Sequence, residues 1–363
     1  MSRAVLLGVS DTRRTDYFKR AANETGLSLF FLDWNGWDGQ MKQFSNETVA
    51  MKIDPPRWDS PYLKELDKLA ADYRRRLSGL AQAADAYPIR FLNHPSAIAA
   101  LLDKLACKET LLCAGLPVTM PFAVTPPHGP AAGEPPAQPF GSAADCAIIR
   151  HAADLLCAMQ ERGVCQVFVK PVNGSGAAGV SAFRVQPGSG RMALYTCAAL
   201  HPAKGLFNTK RLRCFTDRAQ ILPLLDSLLQ TRCIVERWYA KASHQGCSFD
   251  LRAVVQDGRI DYLLARLSKG PITNLQLNNR PLPFSALGLP ASVQEEITAL
   301  CQKAMGLFPG LRSAGIDILL EKESLTPRII EMNGQGDLIY QDIFNENTIY
   351  RRQAELLKRM GEP

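Results

Sequence analysis

Two segments are the most informative for predicting the fold of this chain. They are Gly315-Ile316-Asp317-Ile318-Leu319-Leu320 and, later, Arg328-Ile329-Ile330-Glu331-Met332-Asn333-Gly334. Both are rich in β-branched and aliphatic residues, which predicts two neighbouring strands. Side chains alternate between faces along a strand, so Glu331 and Asn333 point to one face while Met332 points into a core. Asp317 is expected to meet them from the adjacent strand.

The side chains of Asp317, Glu331 and Asn333 offer only oxygen ligands and one amide group. Mg²⁺ binds hard oxygen ligands, usually one or two carboxylates together with phosphate oxygens. The set contains no His or Cys, so it predicts a magnesium site and disfavours zinc. The alternative is an exposed edge hairpin whose acidic side chains only contact solvent.

The length of 363 residues exceeds a single domain of roughly 100 to 200 residues, so two or three structural units are expected. Hydrophobic residues make up 46% of the chain, which allows a large core. No stretch approaches the roughly 20 consecutive apolar residues of a membrane span, and the first apolar run, at residues 4–9, is too short for a signal peptide. We therefore predict a soluble, cytoplasmic protein with no membrane partner.

The cysteines and charges exclude further classes of function. The ten cysteines include no C-x-x-C pair, which favours reduced thiols over disulfides. The net charge of +7 is modest, and no Lys/Arg block with interleaved aromatic residues predicts a nucleic-acid surface. The positive charge is uneven, because residues 201–218 contain five basic residues against one acid, Asp217. This imbalance indicates an anionic substrate.

Residues 1–95 open with a strand, a helix and a second strand, which predicts an α/β unit. Their first turn, Gly8-Val9-Ser10-Asp11, lacks the G-x-G-x-x-G of dinucleotide-binding proteins, so an NAD-binding role is disfavoured. Apolar periodicity predicts helices over residues 96–114 and 145–162. Between them, residues 125–141 are dominated by Pro, Gly and Ala and predict a flexible surface insertion.

A glycine-rich segment follows Lys170, which ends a predicted strand. The segment reads Pro171-Val172-Asn173-Gly174-Ser175-Gly176-Ala177-Ala178-Gly179-Val180. Backbone amides in such a loop can wrap phosphate oxygens. It is not a P-loop, because G-x-x-x-x-G-K-[ST] is absent. A glycine-rich hairpin turn without a ligand is the alternative.

The segment Ile234-Val235-Glu236-Arg237-Trp238-Tyr239 places aromatic residues beside the end of a predicted strand. An adenine ring requires an apolar slot and main-chain hydrogen bonds, and such an edge offers both. An amphipathic edge strand without a ligand explains the pattern equally well.

The order of these features along the chain resembles the ATP-grasp superfamily, and within it the glutathione synthetase and ribosomal S6 modification branch. The series is Lys104, Lys170 with its glycine loop, Glu236, Asp250-Leu251-Arg252, Asp317 and Glu331-Met332-Asn333. The resemblance implies an α/β (α+β) fold with two ATP-grasp subdomains. The central subdomain would span residues 96–235 with the insertion at 125–141, and the C-terminal subdomain residues 236–363 with the metal site. A Rossmann-like domain at residues 1–95 would precede them.

The resemblance also implies roles for individual residues around ATP. It assigns the nucleotide to Lys104, Lys170, Gly174, Ser175, Gly176, Gly179, Val180, Glu236, Trp238 and Tyr239. It assigns magnesium, as two ions that manganese could replace, to Asp317, Glu331 and Asn333. It assigns the acyl-phosphate side of the cleft to Arg252, Arg266 and Asn274.

The chain departs from the family pattern in three places. The insertions at residues 125–141 and 201–218 lengthen the intervals between the lysines and the hinge. Lys241-Ala242-Ser243-His244 stands where relatives often carry an acid that holds the ribose, so the ribose contacts stay open. A two-residue turn at Asp257-Gly258 would place Arg252 and Arg266 on opposite faces of an ideal hairpin. Either a bulge intervenes or only one arginine enters the cleft.

The sequence therefore predicts an ATP-dependent carboxylate-amine ligase. The enzyme would convert a carboxylate into an acyl phosphate, which an amine attacks to form an amide or peptide bond with release of ADP and phosphate. The alternatives are a kinase of a small anionic metabolite and a non-catalytic nucleotide-binding regulatory protein. Both substrates, as small molecules or peptides, stay open, and so does the oligomeric state, although homodimers are common among relatives.

Overall fold

The computed structural model describes residues 2–44, 47–57, 60–126, 140, 146–203, 205–277, 279–335 and 346–362. Most of the insertion predicted at residues 125–141 lies outside these ranges, as does Lys204 of the basic segment. The described residues form three β-sheets with helices packed on them. None of the described helices is long and apolar enough to cross a membrane.

The N-terminal unit is a parallel sheet with helices, as the α/β pattern predicts. Its strands are β1 (Ser2–Gly8), β2 (Leu29–Asp33), β3 (Thr48–Ile53) and β4 (Ile89–Phe91), and its helices are α1 (Arg13–Glu24), α2 (Trp37–Met41) and α3 (Leu66–Ala86). The strand order is β2-β1-β3-β4 and every pair is parallel. Parallel neighbours require crossover connections, and the helices supply them.

The helix predicted over residues 96–114 is divided into α4 (Pro95–Leu101) and α5 (Lys104–Cys113). The break has a local cause, because Asp103 has extended backbone and its carboxylate accepts hydrogen bonds from the amides of Leu105 and Ala106. Such a side chain caps the start of a new helix. The prediction of one continuous helix was wrong here, and the break places Lys104 in the first turn of α5.

The central sheet contains seven described strands, β5 (Pro121–Val124), β6 (Ala147–Ile148), β7 (Gln166–Pro171), β8 (Ser181–Val185), β9 (Met192–His201), β10 (Gly205–Phe215) and β11 (Cys233–Arg237). Their order in the sheet is β10-β9-β8-β7-β11-β5-β6. Two helices pack on it, α6 (Ala152–Glu161) and α7 (Arg218–Leu229). The helix predicted over residues 145–162 thus begins later, because the Asp154 carboxylate accepts hydrogen bonds from the amides of Arg150 and His151 and caps it there.

The third sheet contains both segments, residues 315–320 and 328–333, from which the metal site was predicted. Its strands are β12 (Ser243–His244), β13 (Cys247–Gln256), β14 (Arg259–Ser268), β15 (Arg280–Pro283), β16 (Ser313–Leu320) and β17 (Pro327–Asn333). The order is β15-β14-β13-β16-β17, with β12 paired to β13. Helix α8 (Ala291–Gly306) covers the sheet with Val293, Ile297, Leu300, Cys301 and Ala304, which share one helical face.

The last helix, α9 (Thr348–Gly361), returns to the N-terminal unit. Its buried face includes Ile349, Tyr350 and Leu357, which lie in one core with Leu6 of β1 and Phe18 of α1. The residues at this end of the chain therefore pack with the N-terminal sheet, although sequence order alone assigns them to the C-terminal subdomain.

Candidate active site

The pairing of β16 with β17 brings the three predicted metal ligands together. Asp317 lies opposite Glu331, and Gly315 lies opposite Asn333. Met332 is 3% exposed and belongs to the core beneath the sheet, so its neighbours face the other side, as the alternation of the strand predicts. The Asn333 amide donates a hydrogen bond to Glu331 Oε1 at 3.3 Å. Two carboxylates and an amide oxygen thus share one face, and such a donor set suits Mg²⁺.

A β-bulge decides the placement of the two arginines. Val254 pairs with Tyr262 and Val255 pairs with Ile260, so Asp261 is the extra residue in β14. This shift restores Arg252 and Arg266 to the same face of the sheet. The bulge that the sequence left open is therefore present, and both arginines enter the cleft.

Arg252 and Arg266 converge on Asp317. Arg252 Nε donates to Asp317 Oδ1, and Arg252 Nη2 donates to Asp317 Oδ2 at 3.2 Å. Arg266 Nη2 lies 3.0 Å from Asp317 Oδ2, and the same guanidinium donates two hydrogen bonds to Asp250 at 2.7 and 2.8 Å. Burial would raise the pKa of Asp317, but Arg252 and Arg266 outweigh it and hold the pKa at about 2. Asp317 is therefore ionised, and its Oδ1, which accepts from Arg252 alone among these contacts, retains a lone pair for another ligand.

The glycine loop after β7 depends on backbone that L-residues rarely adopt. Gly176 and Gly179 have φ of 63° and 71°. A Cβ at Gly179 would lie 2.7 Å from Pro171 Cγ and 3.0 Å from Leu63 Cδ1. Lys104 Nζ donates to the Gly174 carbonyl at 2.6 Å, which ties the first predicted phosphate lysine to the loop.

The second predicted phosphate lysine, Lys170, belongs to a buried ionic network. Lys170 Nζ lies 2.6 Å from Glu236 Oε2, and Lys108 Nζ lies 2.7 Å from Glu236 Oε1. The Thr119 hydroxyl donates to the same Glu236 carboxylate at 2.7 Å. Burial would raise the pKa of Glu236, but Lys108 and Lys170 outweigh it and hold the pKa at about 2. The Glu236 carboxylate therefore positions Lys170 through an ion pair. Lys108, which the sequence did not predict as a site residue, belongs to the same network.

Two adjoining cavities contain most of the predicted residues. The inner cavity is lined by Lys104, Lys170, Gly174, Ser175, Gly176, Val180, Glu236, Tyr239, Arg266, Asn274, Asp317 and Glu331. The outer cavity shares Lys104, Arg266, Asn274 and Glu331 with it and adds Arg14, Arg252, Asn333 and Gln335. Trp238 and Gly179 line neither cavity, and the Trp238 ring instead packs on Phe168 with centroids 5.2 Å apart. Most of the residues predicted from the sequence thus line these two cavities, and Trp238 contacts the inner cavity only through Phe168.

Lys241, in the position left open for the ribose contacts, lies in the wall of the inner cavity. Its ammonium donates to the Thr273 hydroxyl at 2.6 Å and to the Pro271 carbonyl at 3.2 Å, and it lies 4.0 Å from Asp250. Burial lowers the pKa of Lys241 from 10.5 to about 8, although Asp250 opposes the change. No local sequence pattern predicts these contacts of Lys241, because Asp250 and Thr273 reach it only through the folding of the sheet.

Replacing Lys241 by methionine is expected to change stability in a pH-dependent way. The folded pKa of about 8 lies below the unfolded 10.5. Between these values the unfolded chain binds more protons, so the native protein gains stability as pH rises. The methionine variant lacks this gain, and its stability relative to the native chain should fall by about 2 to 3 kcal/mol between pH 7 and pH 10. Urea unfolding at both pH values measures this difference, and the exposed Lys303→Met serves as control. A difference that does not change with pH would contradict the burial of a charged Lys241.

The comparisons with known proteins agree with this architecture. No protein-family model and no curated protein matches the sequence. Among solved structures, the macrocyclase MdnC from Microcystis aeruginosa MRC, bound with precursor peptide MdnA, aligns with a TM-score of 0.59 and 13% identity over 99% of this chain and 100% of that chain. The ATP-grasp ligase PsnB, complexed with a phosphomimetic variant of minimal precursor, Mg and ADP, aligns with a TM-score of 0.59 and 14% identity over 100% and 99%.

A third similar structure is the D-alanine–D-alanine ligase from Bacillus anthracis complexed with ATP, with a TM-score of 0.54 and 10% identity over 99% of this chain and 98% of that chain. The likeness spans all three sheets and the helices between them, because it covers nearly the full length of each chain. It confirms the fold class that the motifs predicted: this chain is built on the ATP-grasp fold.

Proposed function

We propose that the chain is an ATP-dependent ligase that joins a carboxylate to an amine and releases ADP and phosphate. One observation carries this proposal. Asp317, Glu331 and Asn333 lie on one face of the third sheet, with Arg252 and Arg266 beside them, and the same cleft contains Lys104 and Lys170. Phosphoryl transfer depends mainly on positioning and charge neutralisation, and this cleft combines oxygen ligands with four cationic side chains.

In this proposal ATP occupies the inner cavity. Tyr239 and Phe168 offer apolar wall to the base, and the loop from Gly174 to Val180 covers the phosphates with Lys104 and Lys170 beside them. Asp317, Glu331 and Asn333 would hold magnesium, whose charge would neutralise the phosphate oxygens. The PsnB and D-alanine–D-alanine ligase structures contain ADP with Mg and ATP, respectively, in the same fold, which supports this assignment.

The carboxylate substrate enters through the outer cavity, where Arg252 and Arg266 attract its negative charge. Its oxygen takes the terminal phosphoryl group of ATP, which gives an acyl phosphate and ADP. The amine then attacks the acyl carbon, the carbon–oxygen bond to phosphate breaks, and an amide forms. No nucleophilic side chain is required, and closure of the cleft over the acyl phosphate limits its hydrolysis.

A peptide is the substrate class that the comparisons favour. The MdnC structure contains precursor peptide MdnA and a PsnB structure contains precursor peptide PsnA2, and both align over nearly the whole of this chain. The outer cavity opens beside the third sheet and the N-terminal unit, so a chain-like substrate could reach Glu331 along this surface. A dimer and a cytoplasmic location remain predictions from the sequence.

Gly179→Ala tests the proposed role of the loop in nucleotide binding. Both Gly179 and the exposed Gly188 have positive φ, at 71° and 78°, so alanine costs similar backbone strain at either position. Only at Gly179 would the new methyl group collide with Pro171 and Leu63. We expect Gly179→Ala to weaken Mg-ADP binding by roughly tenfold or more, and Gly188→Ala to leave it within about twofold. Equal affinities in the two variants would contradict the proposed loop position.

The experiment that tests the function measures ADP release over a matrix of carboxylic acids, acidic peptides and amines, with and without hydroxylamine. A ligase should release ADP only with its carboxylate and should yield a hydroxamate when hydroxylamine is added, because only an acyl phosphate is trapped in this way. ADP release with a substrate but no hydroxamate would indicate a kinase of a hydroxyl group. Nucleotide binding with no turnover over the whole matrix would indicate a regulatory protein.

A further inference from the structure

Helix α3 of the N-terminal unit and the turn before it pack directly on the glycine loop, residues 174–180. A Cβ at Gly174 would lie 3.1 Å from Leu66 Cδ1. At the other end of the loop, a Cβ at Gly179 would lie 3.0 Å from Leu63 Cδ1. Both leucines are buried and belong to the core of the central sheet. The N-terminal unit therefore contacts both ends of the loop, although none of its described residues lines the inner cavity.

A buried amide joins the glycine loop to the same helix. Asn173, the residue before the loop, is 3% exposed. Its side-chain oxygen accepts from Arg74 Nη2 at 2.7 Å, and its side-chain nitrogen donates to Asp67 Oδ1 at 2.6 Å. Asp67 and Arg74 lie two turns apart on one face of α3. They fix the orientation of the amide, because the opposite orientation would turn its N–H groups toward the guanidinium and its oxygen toward the carboxylate.

Arg74 also lies beside the residue that positions Lys104. Arg74 Nη2 is 3.8 Å from Asp103 Oδ2, and the same oxygen is 2.6 Å from Arg232 Nη1. Asp103 caps helix α5, whose first residue is Lys104. Lys104 donates through its amide to the Val172 carbonyl at 3.3 Å and through its ammonium to the glycine loop. Arg74 therefore links the base of the loop to the start of the helix that carries the lysine.

The contacts of Asn173 do more than packing alone requires. Removing an amide and two charged groups from water costs free energy, and apolar residues of similar size would fill the same space. Hydrogen bonds depend on direction, whereas apolar contacts do not, so the polar set fixes one position of Asn173. A fixed position matters for a loop that binds phosphate through its backbone, because a loop ordered in advance loses less conformational entropy when the ligand binds.

We propose that Asp67 and Arg74 are positioning residues for the nucleotide. They hold Asn173, and through it the glycine loop and Lys104, in the position that binds the phosphates. This inference rests on the ligase function proposed above. It gives the N-terminal unit a part in nucleotide affinity, although the described residues of this unit do not line the inner cavity.

An exchange of the two side chains at positions 67 and 173 tests the proposal. Asn173→Asp places a second carboxylate beside Asp67, and the two repel each other. We expect this variant to bind Mg-ADP roughly tenfold more weakly, or worse, in calorimetric titration. Adding Asp67→Asn should restore the affinity to within about threefold of the native value, because an amide then donates to a carboxylate that still accepts from Arg74. The exposed Asn23→Asp adds the same charge elsewhere and should change the affinity by less than about twofold.

Arg74→Met and Arg75→Met form a second, matched pair of variants. The first removes the hydrogen bond to Asn173, whereas Arg75 is exposed and pairs with Asp72 at 2.9 Å. We expect Arg74→Met to weaken Mg-ADP binding roughly fivefold or more and Arg75→Met to leave it within about twofold. Urea unfolding of each variant provides the comparison. A contact that only stabilises the fold would lower the free energy of unfolding and leave the dissociation constant of the folded protein unchanged.

Each outcome decides for or against the positioning role. Native affinity in Asn173→Asp or in Arg74→Met would overturn the proposal. A loss in Asn173→Asp that Asp67→Asn fails to restore would also overturn it, since the loss would then arise from charge near the phosphates. If Asn173→Asp does not fold, Arg74→Met decides alone. A native protein that binds no Mg-ADP would instead refute the nucleotide site of the ligase proposal, so the two failures are distinguishable.

Discussion

Replacing Glu331 by glutamine is expected to slow ADP formation by on the order of 10³-fold. The substitution keeps the size of the side chain and its contact with Asn333 but removes the negative charge that would hold magnesium. Folding should be almost unaffected, within about 0.5 kcal/mol, because Glu331 is only partly buried and has no ion pair among the described residues. Steady-state ADP release and urea unfolding measure the two effects separately.

The matched control is Glu323→Gln, which makes the same substitution in the exposed turn between β16 and β17. It should leave both ADP release and stability unchanged. Retention of more than about a tenth of the native rate in Glu331→Gln would mean that Glu331 does not bind the catalytic metal.

Replacing Glu236 by glutamine should destabilise the protein by about 3 to 5 kcal/mol. The reason is that Lys108 and Lys170 would then lie in the interior without the carboxylate that both contact, at 2.7 and 2.6 Å. The exposed Glu161→Gln in the same sheet unit should change stability by less than about 0.5 kcal/mol. Adding Lys108→Met to Glu236→Gln should recover part of the loss, since it removes one uncompensated charge. No recovery would show that the loss arises from packing.

The ion pairs of Glu236 with Lys108 and Lys170 also predict that the free energy of unfolding depends on pH in the acidic range. The folded pKa of Glu236, about 2, lies below the ordinary value of 4.5, so the folded state favours the charged form. The ionised Glu236 carboxylate contributes its full share of the free energy of unfolding above pH 4.5, and this contribution is lost as pH falls from there toward 2. The stability difference between the native chain and Glu236→Gln should therefore narrow across this window. A difference that stays constant there would contradict the ion pairing.

The parts of the site that the sequence predicted depend on local rules. Alternation along one strand placed Glu331 and Asn333 on a common face, and the following strand pair brought Asp317 opposite Glu331. Loop glycines with positive φ at 174, 176 and 179 also follow from local backbone chemistry. These features require no knowledge of the tertiary structure.

The parts that the sequence did not predict depend on distant contacts or single insertions. Lys170 and Glu236 are 66 residues apart, and no local pattern indicates that Lys108 joins them. The bulge at Asp261 shifts the register by one residue, which a two-residue turn at Asp257-Gly258 does not reveal. Tertiary packing, rather than propensity, sets these positions.

Calorimetric titration with ADP, in magnesium and again in EDTA, tests most directly whether Asp317, Glu331 and Asn333 collect a cation around a nucleotide. The account predicts one binding site with a dissociation constant between about 1 μM and 1 mM in magnesium, and at least roughly tenfold weaker binding in EDTA. Absence of heat in both titrations, or equal affinity with and without magnesium, would contradict it.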